Sequence, residues 1–176
     1  MHLPIVSFLL TSLVLAATTT AAAVSNNRRN PDNNGTFVLQ NTGATYTGNY
    51  VALDFVTEGL VVLGLSSNAT QKQTFSMNAQ SQQLSALGVP GYSGPLPVYK
   101  MQYATMVVLG SSSFFSGSPV TGFEFVSNGT LTVTQDSING LLACENSAGS
   151  LAQMYYSTED GCPSGCSLLS LRAVPS

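Results

Sequence analysis

Histidine is all but missing from this chain. His2 is the one example, and it lies in a segment expected to be removed. A Ser-His-Asp triad, a Cys-His pair and histidine metal sites are therefore excluded from the working protein by composition. Tryptophan is absent, which takes away the best flat platform for stacking a sugar ring. Charge is scarce as well: five Lys and Arg stand against eight Asp and Glu, and beyond the N-terminal tail only Lys72, Lys100 and Arg172 are basic. So few cations cannot track a phosphate backbone, which excludes nucleic-acid binding, and attachment to an anionic membrane fails for the same reason. No stretch holds a helical hydrophobic period, and no hydrophobic tail follows Leu171-Arg172-Ala173, so no lipid anchor is expected.

Against these absences stands one apolar run, Ile5 to Ala17, followed by the small residues Ala21-Ala22-Ala23. A bilayer span needs roughly 20 apolar residues, and this run has the length of a secretory h-region instead. The expected organisation is a signal peptide over residues 1–23, a polar tail over 24–35 and one secreted all-β domain over 36–176. The tail carries Arg28-Arg29, a dibasic pair open to a processing protease. Three sequons follow the signal: Asn34-Gly35-Thr36, Asn68-Ala69-Thr70 and Asn128-Gly129-Thr130. In a secreted chain so poor in charge they are expected to carry glycan. Cys144, Cys162 and Cys166 are an odd set on an oxidising route, which predicts one bridge and one leftover thiol. Cys144–Cys166 is the favoured pairing, expected to pin the last strand to the sheet. Three thiolates without histidine make an incomplete zinc site, so neither a metal nor a cofactor is expected.

Beyond the tail, short apolar runs are divided by Gly, Ser, Asn and Pro. Period-two alternation marks Thr36-Phe37-Val38-Leu39-Gln40, Gly122-Phe123-Glu124-Phe125-Val126 and Thr130-Leu131-Thr132-Val133-Thr134 as strands. Asn128-Gly129 predicts a hairpin turn between Phe125 and Leu131, since both residues tolerate positive φ. Gly88 to Pro97, with three Gly and three Pro, reads as an ordered loop or edge crossing. Asn78 to Leu87 reads as strand or loop, and Met101 to Met106 as buried strand. Leu60-Val61-Val62-Leu63-Gly64-Leu65-Ser66-Ser67 is echoed by Met106-Val107-Val108-Leu109-Gly110-Ser111-Ser112-Ser113 and more faintly by Leu141-Leu142-Ala143-Cys144. The fold class is therefore all-β, a single compact domain that is either β-trefoil-like or a Greek-key sandwich or barrel.

Without histidine, catalysis would fall to carboxylates. The candidates are Asp54 with Glu58, the group Glu124, Asp136 and Glu145, and Glu159-Asp160. Two of them about 5–10 Å apart would suffice for glycoside hydrolysis. Alternation instead sends Glu124 to solvent while Phe123 and Phe125 turn inward, and Asp54 and Glu58 are expected in turns. Among tyrosines, Tyr155-Tyr156 on a strand must face opposite sides, one toward the core and one outward.

The residues Gly122-Phe123-Glu124-Phe125, Gly129-Thr130-Leu131, Gly140-Leu141-Leu142-Ala143-Cys144, Gln153-Met154-Tyr155 and Cys166 with Leu169 and Ala173 resemble a family of small secreted proteins of filamentous fungi. These are IgE-binding or cell-surface proteins, similar to the phialide cell-wall proteins. Glu145 and Ala152 stand where that family usually carries Pro and Trp. The resemblance spans about residues 98–174 and implies an extracellular or cell-wall β-domain with a Cys144–Cys166 bridge. It supplies no catalytic residues. The expected function is that of a non-enzymatic cell-wall or surface protein, structural or interacting. Its expected partners are wall polysaccharide or other wall proteins, with no nucleic acid and no membrane. A glycan-binding module is the alternative, and a carboxylate-dependent glycosidase a more distant one.

Overall fold

The computed structural model describes residues 35–57, 60–101, 106–115, 117–135, 137–146, 151–158 and 164–176. The signal segment, Arg28-Arg29, Asn34, Glu58, Asp136, Glu159, Asp160 and Cys162 lie outside them.

Seven strands form a ring. They are β1 (Thr36–Asn41), β2 (Tyr50–Thr57), β3 (Leu60–Ser66), β4 (Thr74–Asn78), β5 (Gln83–Leu87), β6 (Leu96–Lys100) and β7 (Val107–Leu109). All pairings are antiparallel, and the order β1-β2-β3-β7-β6-β5-β4 returns to β1. The stretch β4-β1-β2-β3 is a Greek key, with β4 returning beside β1 through a short 3₁₀ turn, Ala69–Gln71. The Greek-key barrel is thus the arrangement realised. The repeated segments do not occupy equivalent places: β3 and β7 are antiparallel neighbours in the ring, while Leu141 to Cys144 lies outside it.

Period-two patterning explains the interior. Phe37 and Leu39, Val51, Val61, Leu63 and Leu65, Phe75 and Met77, Leu84 and Ala86, Leu96 and Val98, Val107 and Leu109 alternate along their strands and all enter one buried cluster. Nearly every second side chain is large and apolar, so the barrel is packed with its own side chains.

Six strands continue the chain: β8 (Phe123–Phe125), β9 (Leu131–Val133), β10 (Gly140–Cys144), β11 (Ala152–Ser157), β12 (Cys166–Leu168) and β13 (Leu171–Pro175). β11 adds to β3 beside β7, β10 adds to β11 and β12 to β10. β13 pairs with β1 over its length. The hairpin β8–β9 forms its own two-stranded sheet, tied to β13 through a Thr130↔Arg172 bridge. Its inward side chains, with those of β10 and β11, join the barrel cluster: Phe123, Leu131, Val133, Leu141, Met154 and Tyr156 are all buried. Phe125 packs edge-on against Phe37 at 5.1 Å between ring centroids.

The Cys144–Cys166 bridge is present. It fastens β12 to β10, not the last strand, because β13 pairs with β1 and not with β10 or β12. The expected strand Met101 to Met106 falls mostly on residues 102–105, which lie outside the described ones; β6 ends at Lys100, and Met101 N–H donates to Met106 O at 3.4 Å. Two local expectations change. Asp54 sits within β2, not in a turn, since the apolar run around it is long enough to carry the strand through. Asn128 does not take positive φ in the β8–β9 turn; Gly129 alone does, at +80°. By contrast, Asn78 to Leu87 is strand, turn and strand, and Gly88 to Pro95 is an ordered loop with Val89 buried in the core.

A buried amide supports one end of the barrel. Asn41, fully buried, donates through Nδ2 to Thr45 O at 2.6 Å and accepts through Oδ1 from Ser170 N at 3.1 Å and Gly43 N at 3.2 Å. Its amide thereby ties the β1–β2 loop to the chain just before β13.

Candidate functional site

The outer face of the sheet is set by register. Cys166, Cys144, Gln153, Gly64 and Ala52 lie on one rung across β12, β10, β11, β3 and β2. Paired residues share a face, and Leu65 and Met154 point inward, so this rung points out. Asp54 shares the outer face, opposite Val62. Gln153 reaches over the bare backbone of Gly64 and donates through Nε2 to Asp54 Oδ2 at 3.2 Å. Tyr155 Oη donates to Gln153 Oε1, also at 3.2 Å. Both ends of the amide are occupied, and Gln153 is buried although it carries a polar side chain. A side chain would be crowded here: a Cβ on Gly64 would come 3.0 Å from Leu151 Cβ and 3.1 Å from Ala152 O. Carboxylate, amide and phenol form a strap that holds β11 across β3 to β2.

Further along this face Val62, Tyr99 and Val108 form a small second cluster under Leu60, Met101, Met106 and Phe115. Tyr99 and Phe115 stack at 4.8 Å between centroids. Tyr99 is buried, so its ring is closed to a ligand.

Glu124 is exposed, as alternation requires, and lines a half-open crevice of about 180 Å³. Met77, Asn78, Ala79 and Gln82 from the β4–β5 hairpin form the facing wall, with Phe123 and Phe125 beside Glu124. The β4–β5 turn is held by Asn78 Oδ1, which accepts from Gln80 N at 2.9 Å and Ser81 N at 3.1 Å. Phe123 N–H donates to Gln82 O at 3.0 Å, so the two hairpins are fixed to each other at this point. The crevice is smaller than the roughly 300–1,000 Å³ of drug-sized ligand pockets and suits a group of about one ring. One carboxylate and no cation line it, which favours neutral or cationic polar groups over anions.

Among the described residues the carboxylates do not assemble. Asp54 is engaged by Gln153, Glu124 faces the crevice, and Glu145 follows β10, its N–H bonded to Gly165 O at 3.1 Å. Among the described residues no three His, Cys, Asp or Glu side chains are grouped to hold a metal ion. Tyr156 is the inward member of its pair and Tyr155 the half-buried outer one. Burial pushes the Tyr156 phenol far above its usual range, and its hydroxyl has no hydrogen-bond partner. Two sequons are placed at exposed turns. Asn68 caps the 3₁₀ turn, accepting from Thr70 N at 3.0 Å, and Asn128 tips the β8–β9 hairpin, accepting from Thr130 N at 2.9 Å.

Sequence reasoning missed the Asp54–Gln153–Tyr155 strap and the crevice. Each joins strands distant in sequence, and the only local trace of either is the glycine at position 64. The chain matches no family model, no curated protein and no solved structure.

Proposed function

We propose that this chain is a secreted, non-catalytic protein of a fungal cell wall or cell surface that acts by contact with wall polysaccharide or other wall proteins. The observation that carries the reading is that the described carboxylates, Asp54, Glu124 and Glu145, lie in three separate neighbourhoods, whereas glycoside hydrolysis needs two carboxylates across one cleft. The N-terminal apolar run, the disulfide and sequons at exposed turns all suit an oxidising, extracellular route. The likeness of residues 98–174 to fungal surface proteins supports the wall assignment. A second reading, a glycan-binding module, is favoured by the crevice: the planar groups of Gln82 and Glu124 both line a site of about one ring, with Phe125.

The test is retention of the secreted protein on chitin, β-glucan and mannan, with reducing sugar measured in the same samples. Retention without sugar release is the expected result. Glu124→Ala and Gln82→Ala lower retention if the crevice is the contact and leave it unchanged if a broader surface is. Release of sugar that disappears on alanine substitution of a carboxylate would overturn the non-catalytic reading.

A further inference from the structure

The tip of the β8–β9 hairpin carries more than a sequon. Val126 N–H donates to Thr130 O at 2.9 Å, and Gly129 N–H to Val126 O at 2.7 Å. With Gly129 at φ +80°, this is a turn over Ser127 and Asn128 closed by a glycine bulge, a common three-residue hairpin loop. Val126 and Thr130 close the loop as a pair. Phe123, Phe125, Leu131 and Val133 turn inward, so Val126 and Thr130 stand on the solvent face with Glu124 and Thr132.

Asn128 Oδ1 takes the Thr130 N–H, which lays the amide back toward that pair and leaves its nitrogen, the atom a glycan occupies, facing out. Arg172 pairs with Thr130 and lies beside the turn: a Cβ on Gly129 would lie 3.5 Å from its Nε. Val126 is 37% exposed, one of three large apolar side chains so exposed among the described residues, and it stands two positions before the sequon asparagine. Asn68 has no such neighbour. It is flanked by Ser67 and Ala69, both exposed, and caps a turn with no buried residue.

We propose that an N-linked glycan at Asn128 is a folded part of the molecule. The apolar C–H face of its first N-acetylglucosamine ring lies on the Val126–Thr130 pair and screens Val126 from water, whereas a glycan at Asn68 has no seat. The inference rests on the secreted reading above.

The experiment uses protein from a secreting eukaryotic host, with Asn34→Gln and Asn68→Gln so that Asn128 is the remaining sequon. Occupancy is read by mass spectrometry and the melting temperature is measured for three forms. These are the intact glycoform, the form trimmed to one ring by an endoglycosidase, and the form stripped by an amidase that leaves aspartate. Aspartate keeps the acceptor oxygen for Thr130 N–H. Trimming is expected to leave the melting temperature unchanged, and stripping to lower it by about 2–4 °C. In a Val126→Ser background the same stripping is expected to shift it by less than about 1 °C, since the ring has lost its seat and the new charge is common to both backgrounds. An equal shift in both backgrounds overturns the inference. So does an unchanged melting temperature on stripping, or a secreted product in which Asn128 is bare, and each of these leaves the secreted reading standing. Retention of residues 1–20 in an unsecreted product would instead sink the reading on which the inference rests.

Discussion

The ring β1–β7 and the strands β8–β13 solve the same problem by different means. In the ring each strand pairs with its neighbours so that the sheet closes on itself, and alternate side chains fill the interior. The C-terminal strands grow outward from β3 and β1 and end on an edge at β12, a three-residue strand with Leu168 exposed. Closure is not open to them, and they are held by fasteners instead: the Cys144–Cys166 bridge, the Gln153 strap to Asp54, and the hairpin tip anchored on Arg172. Where the sheet closes on itself, strand pairing and burial hold most of it. Where it ends, covalent and polar links are added to burial.

That contrast breaks most severely in the core. Phe75 is fully buried, points into the barrel and belongs to β4, one of the two strands on which the Greek key closes. Phe75→Ala is expected to cost about 3–5 kcal/mol, read as a drop in the urea midpoint with the whole molecule unfolding in one step. A loss under about 1 kcal/mol would mean that closure does not depend on this packing.

The disulfide comes next. Cys166→Ser removes a link across a sequence separation of 22 residues, worth on the order of 3 kcal/mol if it acts by constraining the unfolded chain. The comparison predicts where the loss appears: amide hydrogen exchange is expected to quicken in β10 and β12 before it changes in β4, β5 or β6. Equal acceleration in the ring would erase the distinction between the two regions.

The smallest effect concerns Tyr156, a residue of the outer strands whose ring reaches the common core. Its buried hydroxyl has no partner, so Tyr156→Phe is expected to raise stability by about 1 kcal/mol in denaturant titration. The same burial holds the folded phenol protonated at a pH where the unfolded one ionises. Above about pH 10 the unfolded state therefore binds fewer protons than the folded one, and stability falls as pH rises, by up to roughly 1.4 kcal/mol per pH unit for this group. Below that pH the group contributes no pH dependence. Tyr156→Phe is expected to flatten the alkaline fall, and an unaltered slope would show that the hydroxyl meets water in the folded state.

How much of this was legible beforehand varies by element. The β8–β9 hairpin was, because alternation in Phe123-Glu124-Phe125 and the Asn128-Gly129 turn are both local and agree on one register. The inward Tyr156 and outward Glu124 followed from that same alternation. The Gln153 strap was not legible, because nothing in Gln153-Met154-Tyr155 indicates that β11 will lie against β3 with Gly64 opposite. The crevice at Glu124 depends likewise on two hairpins, distant in sequence, meeting through Phe123 N–H and Gln82 O.

By itself, then, the sequence determined an all-β domain with alternating strands, Gly- and Asn-marked turns, and cysteines able to bridge. Each follows from side-chain period and backbone freedom over a few residues. Tertiary structure decided that the strands close as a Greek-key ring and not in threefold repeat. It also decided that the bridge fastens β12 and not the last strand, and that Asp54 meets Gln153. Those outcomes turn on which strand edge pairs with which. Every edge offers the same N–H and C=O groups, so the choice is made by the packing of the whole core and is written in no single segment.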